Sequence, residues 1–173
     1  ILRSQEVHDI AVALGVDPAS DKIDGLRYHR ICILADADSD GHHIATLLLT
    51  FLYRHLRGMI ESGKVFLAQP PLYRIDIGKE TSWALDEAHK ADILKRATGK
   101  GKVDITRFKG LGEMMPKVLW ETTLNPRTRR LLRVEIADQL VTDRVINELM
   151  GKDPSARFRF IMERAEEAEE LDV

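Results

Sequence analysis

The stretch "ICILADADSDGHHI", residues 31–44, sets three aspartates at alternate positions, Asp36, Asp38 and Asp40, directly before Gly41. Carboxylates held this close repel one another unless protons or cations intervene. Read from the left, D-x-D-x-D-G opens an EF-hand calcium loop, with Asp36 at position 1 and Gly41 at position 6. Position 12 of such a loop must supply a bidentate carboxylate, and here it is Leu47. An EF-hand also needs a helix before its loop, whereas "RICILA" is strand-like. With the calcium loop set aside, two readings stand. One is a carboxylate cluster for a hard divalent cation such as Mg²⁺, which takes one or two carboxylates plus substrate phosphates. Two such ions can clamp the attacking and leaving oxygens of a phosphoryl transfer. The other is a turn in which Asp40 caps the following helix while its neighbours are solvated.

The elements around the triplet decide where it sits. "RICILA" is a short isoleucine-rich run suited to a strand buried on both faces of a parallel sheet. After it, Ile44, Leu47, Leu48, Phe51, Leu52, Leu56, Met59 and Ile60 recur at helical spacing, with Gly63 as a stop. "KVFLAQ" reads as the next strand. Residues 30–69 therefore spell strand, acidic loop, helix, strand, a βαβ unit with an expected right-handed crossover. Ligands of such sheets gather at the carboxyl ends of the strands, where the aspartates fall.

Upstream, "SQEVHDIAVAL" predicts a helix capped by Ser4 and ended by Gly15, with Val7, Ile10, Ala11 and Leu14 as its apolar stripe. Downstream, "PPLYRIDIG" is extended, and "TSWAL" can pair with it. A helix over 86–97, a strand at "VDITRF" and a glycine loop at "KGLGEM" follow. Pro116 starts "PKVLWETTL", "NPRTRRLLRVEI" passes from turn to strand, and helices over 138–150 and 154–168 close the chain.

The chain has 173 residues, 44% hydrophobic and 31% charged, which suits a globular fold. It contains no apolar run of membrane-spanning length and no signal-peptide pattern, and its single cysteine fits a reducing compartment, so a cytoplasmic location is expected. One cysteine, Cys32, cannot form an internal disulfide and reads as a small buried hydrophobe. The net charge of −2 gives no global sign of a nucleic-acid binder. Locally, Arg127, Arg129, Arg130 and Arg133 form a basic patch, and "ERAEEAEELDV" is an acidic, solvated tail. The first residue is Ile1, which suggests a fragment.

"DADSDGHHI", "QPPLYRI" and "RFKGLGEM", in that order, resemble the C-terminal half of the B subunit of bacterial type IIA topoisomerases over roughly residues 1–165. Ser39, Arg74 and "ETTLNPRTRRL" resemble the topoisomerase IV branch more than gyrase. The resemblance implies an α/β fold: a Toprim-like Rossmannoid parallel sheet flanked by helices, truncated at its N-terminus, with a mixed and helical C-terminal extension. The Toprim core is expected at 1–77 and the extension with its tail at 78–173. Such enzymes cut both strands of one DNA duplex, pass another through and reseal the break. The reactive tyrosine belongs to a partner A subunit in an A₂B₂ heterotetramer, so no catalytic residue is assigned here and Tyr73 is read as packing.

The resemblance further implies Mg²⁺ on Asp36, Asp38 and Asp40, with Mn²⁺ or Ca²⁺ as substitutes, and ATP bound only elsewhere in the holoenzyme. His43, Lys109 and, as a weaker candidate, Arg157 are the residues it points to for DNA contact; without it, His43 is a solvent-facing residue of the first helical turn and Lys109 a surface cation at a tight turn. The family's glutamate, carried in an E-G-D-S-A-like motif on an earlier strand, has no counterpart in the sequence. Weak Mg²⁺ binding and no DNA cleavage by the chain alone are therefore expected. Two other classes compete. A Toprim-like binding module without cleavage activity is disfavoured by "PPLYRI" and "RFKGLGEM". A haloacid-dehalogenase-type phosphatase is disfavoured because Asp40 stands where those enzymes usually carry Thr or Val.

Overall fold

The computed structural model describes residues 4–20, 22–97 and 101–167. Among them, helix α1 is Gln5–Leu14, strand β1 is Ile31–Ile33, α2 is Ser39–His55, α3 is Arg57–Glu61 and β2 is Val65–Ala68. Strands β3 (Tyr73–Ile77) and β4 (Glu80–Ala84), helix α4 (Glu87–Arg96) and β5 (Val103–Arg107) follow. A 3₁₀ turn at Leu111–Glu113 leads to α5, Pro116–Leu119, which runs on into a π-helical turn, Trp120–Leu124. Strand β6 (Leu131–Arg133) and helices α6 (Gln139–Met150) and α7 (Pro154–Glu163) complete the order. The strands form two sheets, β1-β2-β6 and β4-β3-β5. This is the expected α/β class. The last expected helix ends at Glu163, a 3₁₀ turn covers Ala165–Glu167, and its final residue, 168, lies outside the described residues.

Two compact units divide the chain: Ile1–Ile31 with Thr46–Val65 and Arg133–Val173, and Cys32–Ala45 with Phe66–Leu132. In the first unit, α1 buries Ala11 and Leu14, and Gly15 stops it at φ 77. That conformation favours glycine, and a Cβ there would meet the Gly25 carbonyl oxygen at 2.7 Å. Ser4 precedes the helix but makes no capping bond, its hydroxyl donating to Glu6 instead. Phe51, Leu52, Leu56, Met59, Ile60 and Val65 form the apolar interior. The predicted helical stripe continues through them, but the helix does not. Leu56 turns out of helical geometry at φ −142, separating α2 from α3 while remaining fully buried. Tyr53, also buried, donates to Asp143 Oδ1 at 2.8 Å, and the Arg57 guanidinium lies 4.4 Å from its ring centroid. Desolvation and the bond to Asp143 raise the Tyr53 phenol above its ordinary value.

In the second unit, β3 is the central strand, antiparallel to β4 on one side and β5 on the other. Its alternation puts Tyr73, Ile75 and Ile77 into a core with Ala84 and Ala97, covered by Leu72, Ile93 and Leu94. The period of two is what a strand with one buried face requires. The expected boundary at 77/78 falls inside this sheet, between hydrogen-bonded β3 and β4.

Two expectations for β1 need correction. The strand is not buried on both faces: Ile33 is buried while Cys32, on the opposite face, is exposed, so only one face of β1 is covered. Cys32 is accordingly not a core residue.

Tyr73 is a packing residue, as read from the sequence, and its hydroxyl donates to Glu87. Lys90 pairs with Glu87 and sits 4.2 Å from the Tyr73 ring centroid. The bonds from Lys90 and then Tyr73 hold the Glu87 carboxyl below its ordinary value. A carboxyl depressed in the folded state stabilises the fold above its unfolded pKa, and that contribution is lost as pH falls through the folded value. Glu87→Gln should therefore lower the thermal midpoint at neutral pH. The difference from the parent should shrink as pH falls through the depressed value of the folded carboxyl. Melting curves across that range check the sign.

Candidate metal centre

The site is built in the second unit, where β1 gives way to the acidic loop. Helix α2 begins at Ser39, which makes Asp38 its N-cap: Asp38 Oδ1 accepts from the Gly41 N–H at 2.7 Å. The expectation that Asp40 caps is thus corrected, because the helix starts earlier than the sequence suggests. Asp40 is the second residue of the helix, where its charge faces the positive end of the helix dipole. Gly41 is required for a steric reason. The Asp36 backbone folds back over this first turn, and a Cβ on Gly41 would lie 2.1 Å from the Asp36 carbonyl oxygen. The glycine that mimics a calcium loop is a close-approach glycine.

Asp36 reaches the other motif. Its Oδ1 accepts the Leu111 N–H at 2.7 Å, from a residue seventy-five positions away. Gly110 packs on the same carboxylate, with space for a Cβ only 3.0 Å from Oδ2. "DADSDG" and "KGLGEM" therefore meet at one side chain. No local signal announces this contact, because both partners lie in loops and the bond involves a backbone N–H. The order of the two motifs is visible in the sequence; their meeting is not.

A cavity of about 300 Å³ opens beside Asp36. Ile33 and Ala35 line it from the end of β1, Leu67, Ala68 and Gln69 from the end of β2, and Gly41 and His42 from the start of α2. The carboxyl ends of both strands thus face one hollow, where ligands of strand–helix–strand units bind. His43 is exposed on the first turn of α2. Lys109 is exposed at the head of the 3₁₀ turn, its backbone N–H bonded to Glu113 Oε2 at 2.8 Å. Arg157 lies in the other unit. Its Nε donates to the Leu149 carbonyl at 2.8 Å and its Nη2 to the Gly151 carbonyl at 3.1 Å, so it caps the C-terminal end of α6. Arg127 and Arg130 are exposed, while Arg133 pairs with Glu135.

The sequence of this chain matches two protein families. Residues 3–70 match the Toprim domain, and residues 100–162 match the carboxyl terminus of the DNA gyrase B subunit. It is 54% identical over 155 residues to the B subunit of DNA topoisomerase 4 from Pseudomonas aeruginosa, an alignment covering 88% of this chain and 25% of that protein. Against the corresponding B subunit of DNA topoisomerase 4 from Escherichia coli it is 51% identical over 98% of the chain and 28% of the relative. Against the B subunit of DNA gyrase from Thermotoga maritima it is 47% identical over the whole chain and 27% of the relative. The chain belongs to the B-subunit family of type IIA topoisomerases. It spans about a quarter of the length of these relatives.

Toprim domains bind divalent metal, and the donors here can be tested against that property. Among the described residues, no group of three or more His, Cys, Asp or Glu side chains is arranged to hold a metal ion, so Asp36, Asp38 and Asp40 are not gathered into a three-ligand site. Mg²⁺ does not need three protein ligands, since it keeps several waters and takes one or two carboxylates plus phosphate oxygens. Asp36, a hard oxygen donor on the rim of an open cavity, fits that chemistry. Among the described residues no helix is long and apolar enough to cross a membrane.

The capping role of Asp38 can be tested by itself. Asp38→Ala should cost about 1 kcal/mol of stability through the lost cap, whereas Asp38→Asn should cost only a few tenths, because Asn caps comparably well. Urea midpoints of the two variants check this.

Proposed function

We propose that this chain is the metal-binding DNA-gate region of a bacterial type IIA topoisomerase B subunit of the topoisomerase IV type, with the gyrase type as the second reading. The observation that carries the reading is the position of Asp36, at the carboxyl ends of β1 and β2 beside an open cavity, within the stretch that matches Toprim. The identities to the topoisomerase 4 proteins, above those to the gyrase proteins, favour the first type.

In this reading Asp36 would be the principal ligand of Mg²⁺, Asp38 and Asp40 would complete the site directly or through water, and the ion would supply stabilisation of charge on the phosphodiester. The protein's own contribution is placement. Asp38 anchors the start of α2, and the α2 N-terminus aims backbone N–H groups and His43 toward an approaching phosphate. Lys109 supplies a cation on the same unit. The reactive tyrosine belongs to a partner A subunit in an A₂B₂ assembly, ATP binds elsewhere in the holoenzyme, and the work is done on DNA in the cytoplasm. Arg157, bonded to the end of α6, is the weakest of the proposed DNA contacts.

The deciding experiment uses the intact subunit with its A partner and supercoiled DNA. Asp36→Ala should lower Mg²⁺-dependent double-strand cleavage by about 10²-fold or more, the usual cost of removing a charge-stabilising group. Cleavage unchanged in that variant would sink the metal assignment. Lys109→Ala should weaken DNA binding about equally across sequences and reduce the slope of log affinity against log salt by about 1, as loss of one phosphate contact does.

A further inference from the structure

The turn that carries "KGLGE" is anchored on both sides. Before it, the buried Phe108 donates its N–H to the Leu72 carbonyl at 2.8 Å; after it, Met114 is buried and bonds back to the Leu111 carbonyl at 3.1 Å. Within it, Lys109 N–H reaches Glu113 Oε2 at 2.8 Å and Glu113 N–H reaches the Gly110 carbonyl at 3.2 Å. A turn braced in this way holds the Leu111 N–H at a set position, and that N–H is bonded to Asp36 Oδ1.

The glycine beside it is telling. Gly110 has φ −156, an extended backbone that any residue adopts. Nothing in its own conformation demands glycine. What crowds the position is Asp36: a Cβ would stand 3.0 Å from Oδ2, 3.1 Å from Cγ and 3.3 Å from Oδ1, so the carboxylate would have to shift by a few tenths of an ångström. By contrast, a Cβ on Gly112, two residues on, would meet nothing within 4 Å.

We infer that the 109–113 turn is a positioning element for the Asp36 carboxylate, with the Leu111 N–H and the bare α-carbon of Gly110 setting its rotation. The inference rests on the metal reading given under Proposed function and adds two residues that act on the ligand without touching the ion. One carboxylate oxygen is engaged by the backbone, and packing against Gly110 limits how the other can turn. Partners of this kind orient a ligand before the metal arrives, and losing them typically costs 10–100-fold in metal affinity.

The test is Mn²⁺ alone, titrated into the intact protein and followed by electron paramagnetic resonance. The parent should bind, Asp36→Ala should lose most of the affinity, and Gly110→Ala should bind about 10-fold more weakly. Gly112→Ala should match the parent. Parent-like Mn²⁺ affinity in Gly110→Ala would overturn the inference. A second measurement needs neither metal nor a folded Gly110 variant: hydrogen exchange of the Leu111 amide should accelerate several-fold in Asp36→Ala. An unchanged rate would overturn the inference with the metal reading intact, whereas a parent that binds no Mn²⁺ but shows the exchange effect would sink the metal reading and leave the hydrogen bond as a purely structural one.

Discussion

The hydrogen bond from the Leu111 N–H to the Asp36 carboxylate is the constraint around which this site is arranged. It joins a loop that follows a strand to a turn seventy-five residues later, and it does so through a group that cannot be exchanged by side-chain substitution. A carboxylate that accepts from a backbone N–H in a partly buried setting loses rotational freedom, and the bond to an ionised acceptor is stronger than a neutral one. Gly110 and Gly41 make the arrangement possible from opposite sides: one leaves room for the carboxylate, the other for the Asp36 backbone. Two glycines of two motifs thus serve a single aspartate.

Seen from that bond, the three aspartates are not equivalent. Asp38 is engaged with the start of α2, Asp40 lies in the first helical turn, and Asp36 alone is shared between the two motifs and faces the cavity. Alternate spacing in the sequence suggests three equal ligands. The helix start breaks that equality, because a chain entering a helix turns successive side chains by about 100° rather than alternating them as a strand does. A structural role for one aspartate and a metal role for another are compatible with a cation that needs few protein ligands.

Much of the architecture is legible in local signals. The helical stripe of α2 and α3, the alternation of β3, the stop at Gly15 and the proline at the start of α5 each point to an element that forms there. The misses share a cause. Cys32 reads as interior because an apolar run looks the same whether one face of a strand is covered or both; which holds depends on what packs over the sheet. Asp40 reads as the cap because sequence places a helix start only to within a residue or two.

The sequence by itself determined the family and the α/β class, since these reside in residue types at short spacing and in the order of three motifs. Tertiary structure alone decided which aspartate is held by the second motif, that a side chain at Gly110 would crowd its carboxylate and which strand face is exposed. The reason is physical. Periodicity and turn chemistry act over a few residues, while a hydrogen bond or a steric contact across seventy-five positions exists only once the chain has closed that loop.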